Sequence, residues 1–155
     1  MGFLTNYKIP PSCFELEITE KMLIANMVEA SSAVRQLREK GIKISIDDFG
    51  TGQSSLNYIK SFAADTLKID RLFIRDLFSD QNVGAILETI IMLARHLHLE
   101  IVAEGVETVS QLNFLRAQGC HKVQGYLYSR PLPLDKMTEL LKTRDCLQIN
   151  NRAVA

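Results

Sequence analysis

The sequence predicts an α/β fold of parallel strands alternating with helices, and three observations carry that reading. Five short runs alternate apolar with polar residues, the period of a strand with one covered face. Longer runs with apolar residues three and four apart lie between them, the period of a helix. The strand-like runs end in acids, a lysine or a glutamine: Glu17, Asp47, Lys68, Glu104 and Gln124. Strand followed by helix, repeated, calls for parallel strands joined by crossovers.

In chain order, residues 1–13 contain Pro10-Pro11 without a clear period and form a connector. The domain proper is expected over residues 14–142. Phe14, Leu16 and Ile18 alternate with Glu15, Glu17 and Thr19 in a first strand whose second face carries acid. Ala30, Ala33, Val34 and Leu37 give a helix over 27–40, and Gly41 stands where a helix C-terminus prefers glycine. Ile42, Ile44 and Ile46 share one face of the second strand, so Lys43, Ser45 and Asp47 share the other and Asp48 points away from Asp47. Gly50 and Gly52 permit a bend after the two carboxylates. A short helix over 54–60 precedes a strand over 66–70, where Leu67 and Ile69 oppose Lys68 and Asp70.

The strongest helical pattern runs over 83–98, through Ile86, Ile90, Leu93, Ala94 and Leu97. A strand over 100–103 leads into Glu104-Gly105-Val106-Glu107. Leu112 and Leu115 belong to a helix closed by Gly119, and 123–126 is the last strand. An amphipathic helix over 134–142 gives way to a polar tail, 143–155.

With 155 residues, 46% hydrophobic and 23% charged, the chain has the makings of one ordinary globular core. Its 18 basic and 18 acidic residues cancel, so no long-range field draws it to DNA or an anionic membrane, and a bound phosphate must be held locally. Cys13, Cys120 and Cys146 are odd in number and lack metal-ligand spacing, which fits a reducing cytoplasm. The sequence carries no apolar stretch of about 18 residues and no basic-then-apolar leader.

Taken singly, Asp47 to Gly52 reads equally as an exposed turn, and Glu17 as a solvated strand residue. Taken together, acids at successive carboxyl ends of parallel strands converge on one face, where barrel enzymes hold their chemistry. Like-charged carboxylates about 4 Å apart repel by roughly 4 kcal/mol at an effective dielectric near 20, and bound cations relieve that repulsion. Oxygen-only ligands favour Mg²⁺ or Mn²⁺ over Zn²⁺. His96, His98 and His121 have no ligand spacing and read as structural or solvated. Carboxylates, a lysine and two cations suit hydrolysis of a phosphodiester.

The ordered motifs Glu17-Ile18-Thr19-Glu20, Asp47-Asp48-Phe49-Gly50-Thr51-Gly52, Lys68-Ile69-Asp70, Glu104-Gly105-Val106-Glu107-Thr108 and Gln124-Gly125-Tyr126 resemble those of the EAL domain family over about residues 10 to 135. The resemblance implies a modified, TIM-type (β/α)8 barrel that hydrolyses cyclic di-GMP to linear pGpG with two Mg²⁺ or Mn²⁺ ions. It implies that Glu17 and Asp47 bind the first metal, that Asp47 bridges, that Asp48 holds the second and that Glu104 binds near it. Lys68 would orient or help deprotonate the attacking water, and Gln124 would position the water network. Glu20 would anchor the loop after Asp48, the loop Phe49 to Ser55, with Gly50, Thr51 and Gly52 in it, would couple a dimer interface to the site, and Asp70 and Glu107 would support the ligands.

A complete barrel needs about 250 residues, so about 100 are wanting, and the expected fold is a partial, truncated barrel. The Glu-x-Leu and Asn-x-Ser motifs of the family's front part do not occur in residues 1–13, which leaves the first-metal site incomplete. Gln53 replaces the family's tyrosine. Open sheet edges predict a homo-oligomer or a missing N-terminal region. Three readings follow: a phosphodiesterase weakened or inactive as this isolated chain, a non-catalytic interaction or nucleotide-binding module, and a bare fold fragment.

Overall fold

The computed structural model describes residues 4, 6–25, 27–50, 62–120 and 122–142. The expected helix over 54–60, Thr51, Gly52, His121 and the tail 143–155 lie outside the described residues. Two compact units form, Met1–Asp70 with Met92–Ile101 and Arg71–Ile91 with Val102–Ala155.

In the first unit, a 3-10 turn at Pro11–Cys13 leads into β1 (Glu15–Thr19), followed by α1 (Glu20–Ala25), α2 (Met27–Glu39), β2 (Lys43–Phe49) and β3 (Thr66–Ile69). β1 pairs parallel with β2 from Glu15↔Lys43 to Thr19↔Asp47, and β2 pairs parallel with β3 at Ser45↔Thr66 and Ile46↔Leu67. Ile44, Ile46, Leu67 and Ile69 are fully buried, and Val34 of α2 is 2% exposed. The period-two reading of β2 therefore selects its core face correctly. On α2 the expected stripe narrows: Val34 is buried, Leu37 half-buried and Ala33 exposed.

Several features go beyond or depart from the sequence reading. The second strand does not stop at the carboxylates but continues through Phe49, with a register irregularity between Ile46 and Phe49. Asp48 takes the bend itself, at φ 54, ahead of Gly50 at φ 92. A short polar side chain tolerates the left-handed region better than most, and a bulge re-aims side chains without ending the ladder. Both faces of β3 are covered, since all four of its residues are buried, Lys68 among them. Phe14 and Leu16, expected on a covered face, are each 41% exposed.

At the amino end of these strands Asp65 acts as a tie. Its carboxylate accepts from Ile44 N–H at 2.9 Å and from Arg38 at 2.7 Å. Its own N–H donates to the Ile44 carbonyl, and its carbonyl accepts from Glu100 N–H, the first residue of β4 (Glu100–Glu104).

In the second unit, α3 (Arg71–Asp76) and the first part of α4 (Gln81–His96) pack with the end of β4, α5 (Val109–Ala117), β5 (Lys122–Gln124) and α6 (Leu134–Lys142). β4 and β5 are parallel, with Val102↔Lys122, Ala103↔Val123 and Glu104↔Gln124 in register. α4 buries Val83, Leu87, Ile90, Ile91 and Ala94, a stripe rotated from the expected one, and leaves Ile86 42% exposed. Gly41 and Gly119 both have φ 85, as helix-terminating glycines do. α5 opens with a capping box in which Thr108 accepts from Gln111 N–H and the Gln111 side chain accepts from Thr108 N–H. No helix among the described residues is long and apolar enough to cross a membrane.

Candidate functional site

Parallel pairing brings the carboxyl ends of β1, β2 and β3 to one edge of the first unit. Alternation then aims Glu17, Ser45, Asp47, Thr66 and Lys68 to one face. The Lys68 ammonium lies 2.6 Å from Glu17 Oε1 and 3.2 Å from Asp47 Oδ1. The first contact is a hydrogen bond. The second has ion-pair distance without hydrogen-bond geometry, and Asp47 Oδ1 is buried with no hydrogen-bond partner. Ser45 Oγ and Thr66 Oγ1 on the same face are likewise buried without one.

Asp48 projects from the bulge. Burial pushes its carboxyl above the usual carboxylate range, the neighbouring Asp47 charge pushes it further, and a hydrogen bond and charge from Asp70 add to both, with Lys68 opposing. Asp47 and Asp70 thus both act on the Asp48 carboxyl, and a nearby positive charge would oppose their effect, as Lys68 does. Below it, Glu20 is 1% exposed and accepts from Gly50 N–H at 3.0 Å, tying the start of α1 to the chain just past the bulge. Phe49, between Asp48 and Gly50, is buried at 3% exposure.

In the second unit, the register sets Glu104 beside Gln124 at the carboxyl ends of β4 and β5. Both line a cavity of about 390 Å³ with Arg71, Glu107, Tyr126 and Arg130. The Arg130 guanidinium sits 4.9 Å from the centre of the Tyr126 ring, a cation–π contact. Close backbone approach shapes this cavity: Gly125 lies against Val106, whose N–H donates to Gln124 O and whose carbonyl accepts from Leu127 N–H. The Glu107 N–H donates to Gln111 Oε1.

Sequence reasoning missed four residues here. Arg71 directly follows the Lys68-Ile69-Asp70 motif and Arg130 lies four residues beyond Tyr126, and neither belongs to the acid pattern, so no spacing signalled them. Gln111 was detectable, because Thr108-x-x-Gln111 has capping-box spacing; it is also buried, and its Nε2 donates to Ile74 O, joining α5 to α3. Tyr126 lay inside a motif without an assigned part. His96 Nδ1 lies 2.8 Å from Met92 O, a local helix contact.

Among the described residues, no group of three or more His, Cys, Asp or Glu lies close enough to hold a metal. Mg²⁺-type ions are nevertheless commonly held by one or two carboxylates, with water and substrate phosphate completing the shell. Glu17 and Asp47 reach a single ammonium from two sides, and Asp47 Oδ1 is a buried oxygen without a hydrogen bond. In chemistry and arrangement they fit a hard cation.

Comparison with known proteins agrees over most of the chain. The EAL domain family model matches residues 2–131. The cyclic di-GMP phosphodiesterase NbdA of Pseudomonas aeruginosa is 51% identical over 132 residues, 84% of this chain and 17% of NbdA. The solved MucR phosphodiesterase in complex with c-di-GMP superposes with a TM-score of 0.85 at 44% identity, covering 88% of this chain and 55% of that one. MucR too comes from Pseudomonas aeruginosa. Klebsiella pneumoniae BlrP1, solved with manganese and cyclic di-GMP, gives a TM-score of 0.77 at 33% identity, covering 83% of this chain and 33% of that one. The chain therefore spans under a fifth of NbdA and little more than half of the solved MucR chain.

Proposed function

The chain belongs to the EAL domain family, and from that premise we propose that it carries the carboxyl-terminal part of a cyclic di-GMP phosphodiesterase site, acting in the cytoplasm with Mg²⁺ or Mn²⁺. The observation that carries this reading is the meeting of Glu17, Asp47 and Lys68 at the ends of three successive parallel strands. By the family resemblance Glu17 and Asp47 would hold a first ion, Asp47 would be shared with a second, Asp48 would bind that second ion, and Glu104 would be a further acid for it. When bound, the ions polarise the phosphate and make a nucleophilic water available at neutral pH. Lys68 Nζ would orient that water or help in its deprotonation, and Gln124 would position the water network. One phosphorus–oxygen ester bond breaks as the bond from water forms, and the ring opens to linear pGpG. Glu20 braces the chain beyond Asp48, and Asp70 and Glu107 support the ligands.

Without the front-part ligands, the isolated chain turns over feebly. The test is cyclic di-GMP hydrolysis with Mn²⁺ by the chain, Glu17→Ala and Asp47→Ala, each checked for folding. Weak turnover abolished in both variants supports the reading. Turnover indifferent to Asp47→Ala refutes it, and a rate equal to that of a complete domain refutes the account of the absent ligands.

A second reading, a non-catalytic nucleotide-binding or interaction module, is favoured by the lack of a three-residue ligand group among the described residues. Cyclic di-GMP binding without turnover would select it. Exposure of Phe14, just before β1, and of Leu16, within it, supports self-association of the chain. Light scattering that finds a folded monomer at micromolar concentration would refute that part.

A further inference from the structure

Lys68 is 7% exposed, on a strand whose every residue is buried. A buried ammonium persists only with anionic partners. Lys68 has Glu17 at 2.6 Å and Asp47 at 3.2 Å, the two acids assigned above to the first metal, and the inference rests on that assignment. We infer that Lys68 is the internal counter-ion of the metal-free site: its ammonium holds the two carboxylates together, and a divalent cation loads against it.

The charge arithmetic gives this a direction. Glu17, Asp47 and Lys68 together carry one negative charge, whereas the two acids alone carry two. A divalent cation entering beside the ammonium meets half the compensating charge and a like-charged neighbour. Lys68 therefore lowers the affinity of the site for metal while sparing the acids their mutual repulsion in its absence. Glu17 limits the effect, because its side chain is 52% exposed and solvent screens its share. Asp47, at 20%, contributes more per contact. The lysine thus does more than serve the chemical step: it keeps two ligands in place before the ion arrives.

The test is Mn²⁺ binding by calorimetry, with thermal melts in EDTA and in Mn²⁺, on the chain, Lys68→Met and Lys68→Arg. Methionine keeps the unbranched apolar stem and removes the charge; arginine keeps the charge. Lys68→Met is expected to bind Mn²⁺ about tenfold more tightly and to melt lower in EDTA, with Mn²⁺ restoring the melt. Lys68→Arg keeps the original affinity. If Lys68→Met does not fold in EDTA, Lys68→Gln, which retains a donor, takes its place in the same comparison. Unchanged or weaker Mn²⁺ binding by the neutral variant overturns the inference, as does equal tightening by Lys68→Arg. If the chain binds Mn²⁺ and only the tightening fails, the metal assignment stands and this inference falls. If neither the chain nor any variant binds Mn²⁺, both fall.

Discussion

Gly125→Ala tests how the cavity end of the second unit is held. A Cβ at Gly125 would stand 2.1 Å from Val106 O, 2.3 Å from Val106 N and 2.7 Å from Val106 C. These are backbone atoms, so no side chain can swing aside. Val106 is fully buried and bound on both sides: its N–H donates to Gln124 O at 3.1 Å and its carbonyl accepts from Leu127 N–H at 3.0 Å. Relief requires the two segments to part by about 1 Å, enough to break both bonds. Each broken bond costs about 1 kcal/mol, or up to about 3 kcal/mol if its groups stay buried and unpaired. Overpacking adds about 1–3 kcal/mol, so a total near 4 kcal/mol is expected. For a chain of this length that lowers the melting temperature by about 10 °C. Thermal and urea unfolding followed by circular dichroism measure it. The displacement also moves Gln124, so under the function proposed above any cyclic di-GMP turnover or binding is expected to fall with the melt. A loss under about 1 kcal/mol would refute the reasoning, because the close approach would then not constrain the backbone.

Further outcomes follow from the same geometry. Gly84→Ala, within α4 and with only Phe114 ring atoms at 3.8 Å and beyond, gains about 0.5–1 kcal/mol in the same melts, since alanine removes backbone freedom from the unfolded chain. Asp65→Ala loses the acceptor for Ile44 N–H and Arg38, and urea unfolding should report about 2 kcal/mol less stability. Burial pushes the Cys120 thiol from an ordinary value of 9.0 up to about 11. Both folded and unfolded thiols are protonated below the lower value; between the two, the unfolded chain releases its proton first. Stability contributed by this thiol is therefore present below pH 9 and lost towards pH 11, by about 2–3 kcal/mol in pH-dependent unfolding. Iodoacetamide at pH 8 should modify exposed Cys13 and spare Cys120 in the folded protein.

Much of the fold was legible because its signals are local. Alternation along 42–46 selected Ile44 and Ile46 for the core, and Gly41 and Gly119 marked helix ends through the left-handed backbone they adopt. Local signals failed where tertiary contacts decide. Asp65 had no motif, yet it ties a strand, a helix and the start of β4. The stripe on α4 was right at Ile90 and Ala94 but took Ile86 in place of Val83, Leu87 and Ile91, because both choices have helical spacing and only packing partners distinguish them. The second strand read as ending at Asp47-Asp48 since aspartates leave strands readily, whereas the pairing of Phe49 with Ile69 carries it on.

By itself the residue order determined the alternation of strands and helices, the family and the acids that mark the strand ends, because period and motif are properties of neighbours in the chain. Only the tertiary structure decided how those side chains meet. Lys68 sits between two carboxylates supplied by strands 51 and 21 residues earlier, Asp48 turns through a left-handed bulge, and Glu104 comes to lie beside Gln124. Such contacts follow from strand register and burial, which join residues far apart in sequence and leave no mark on the residues between them.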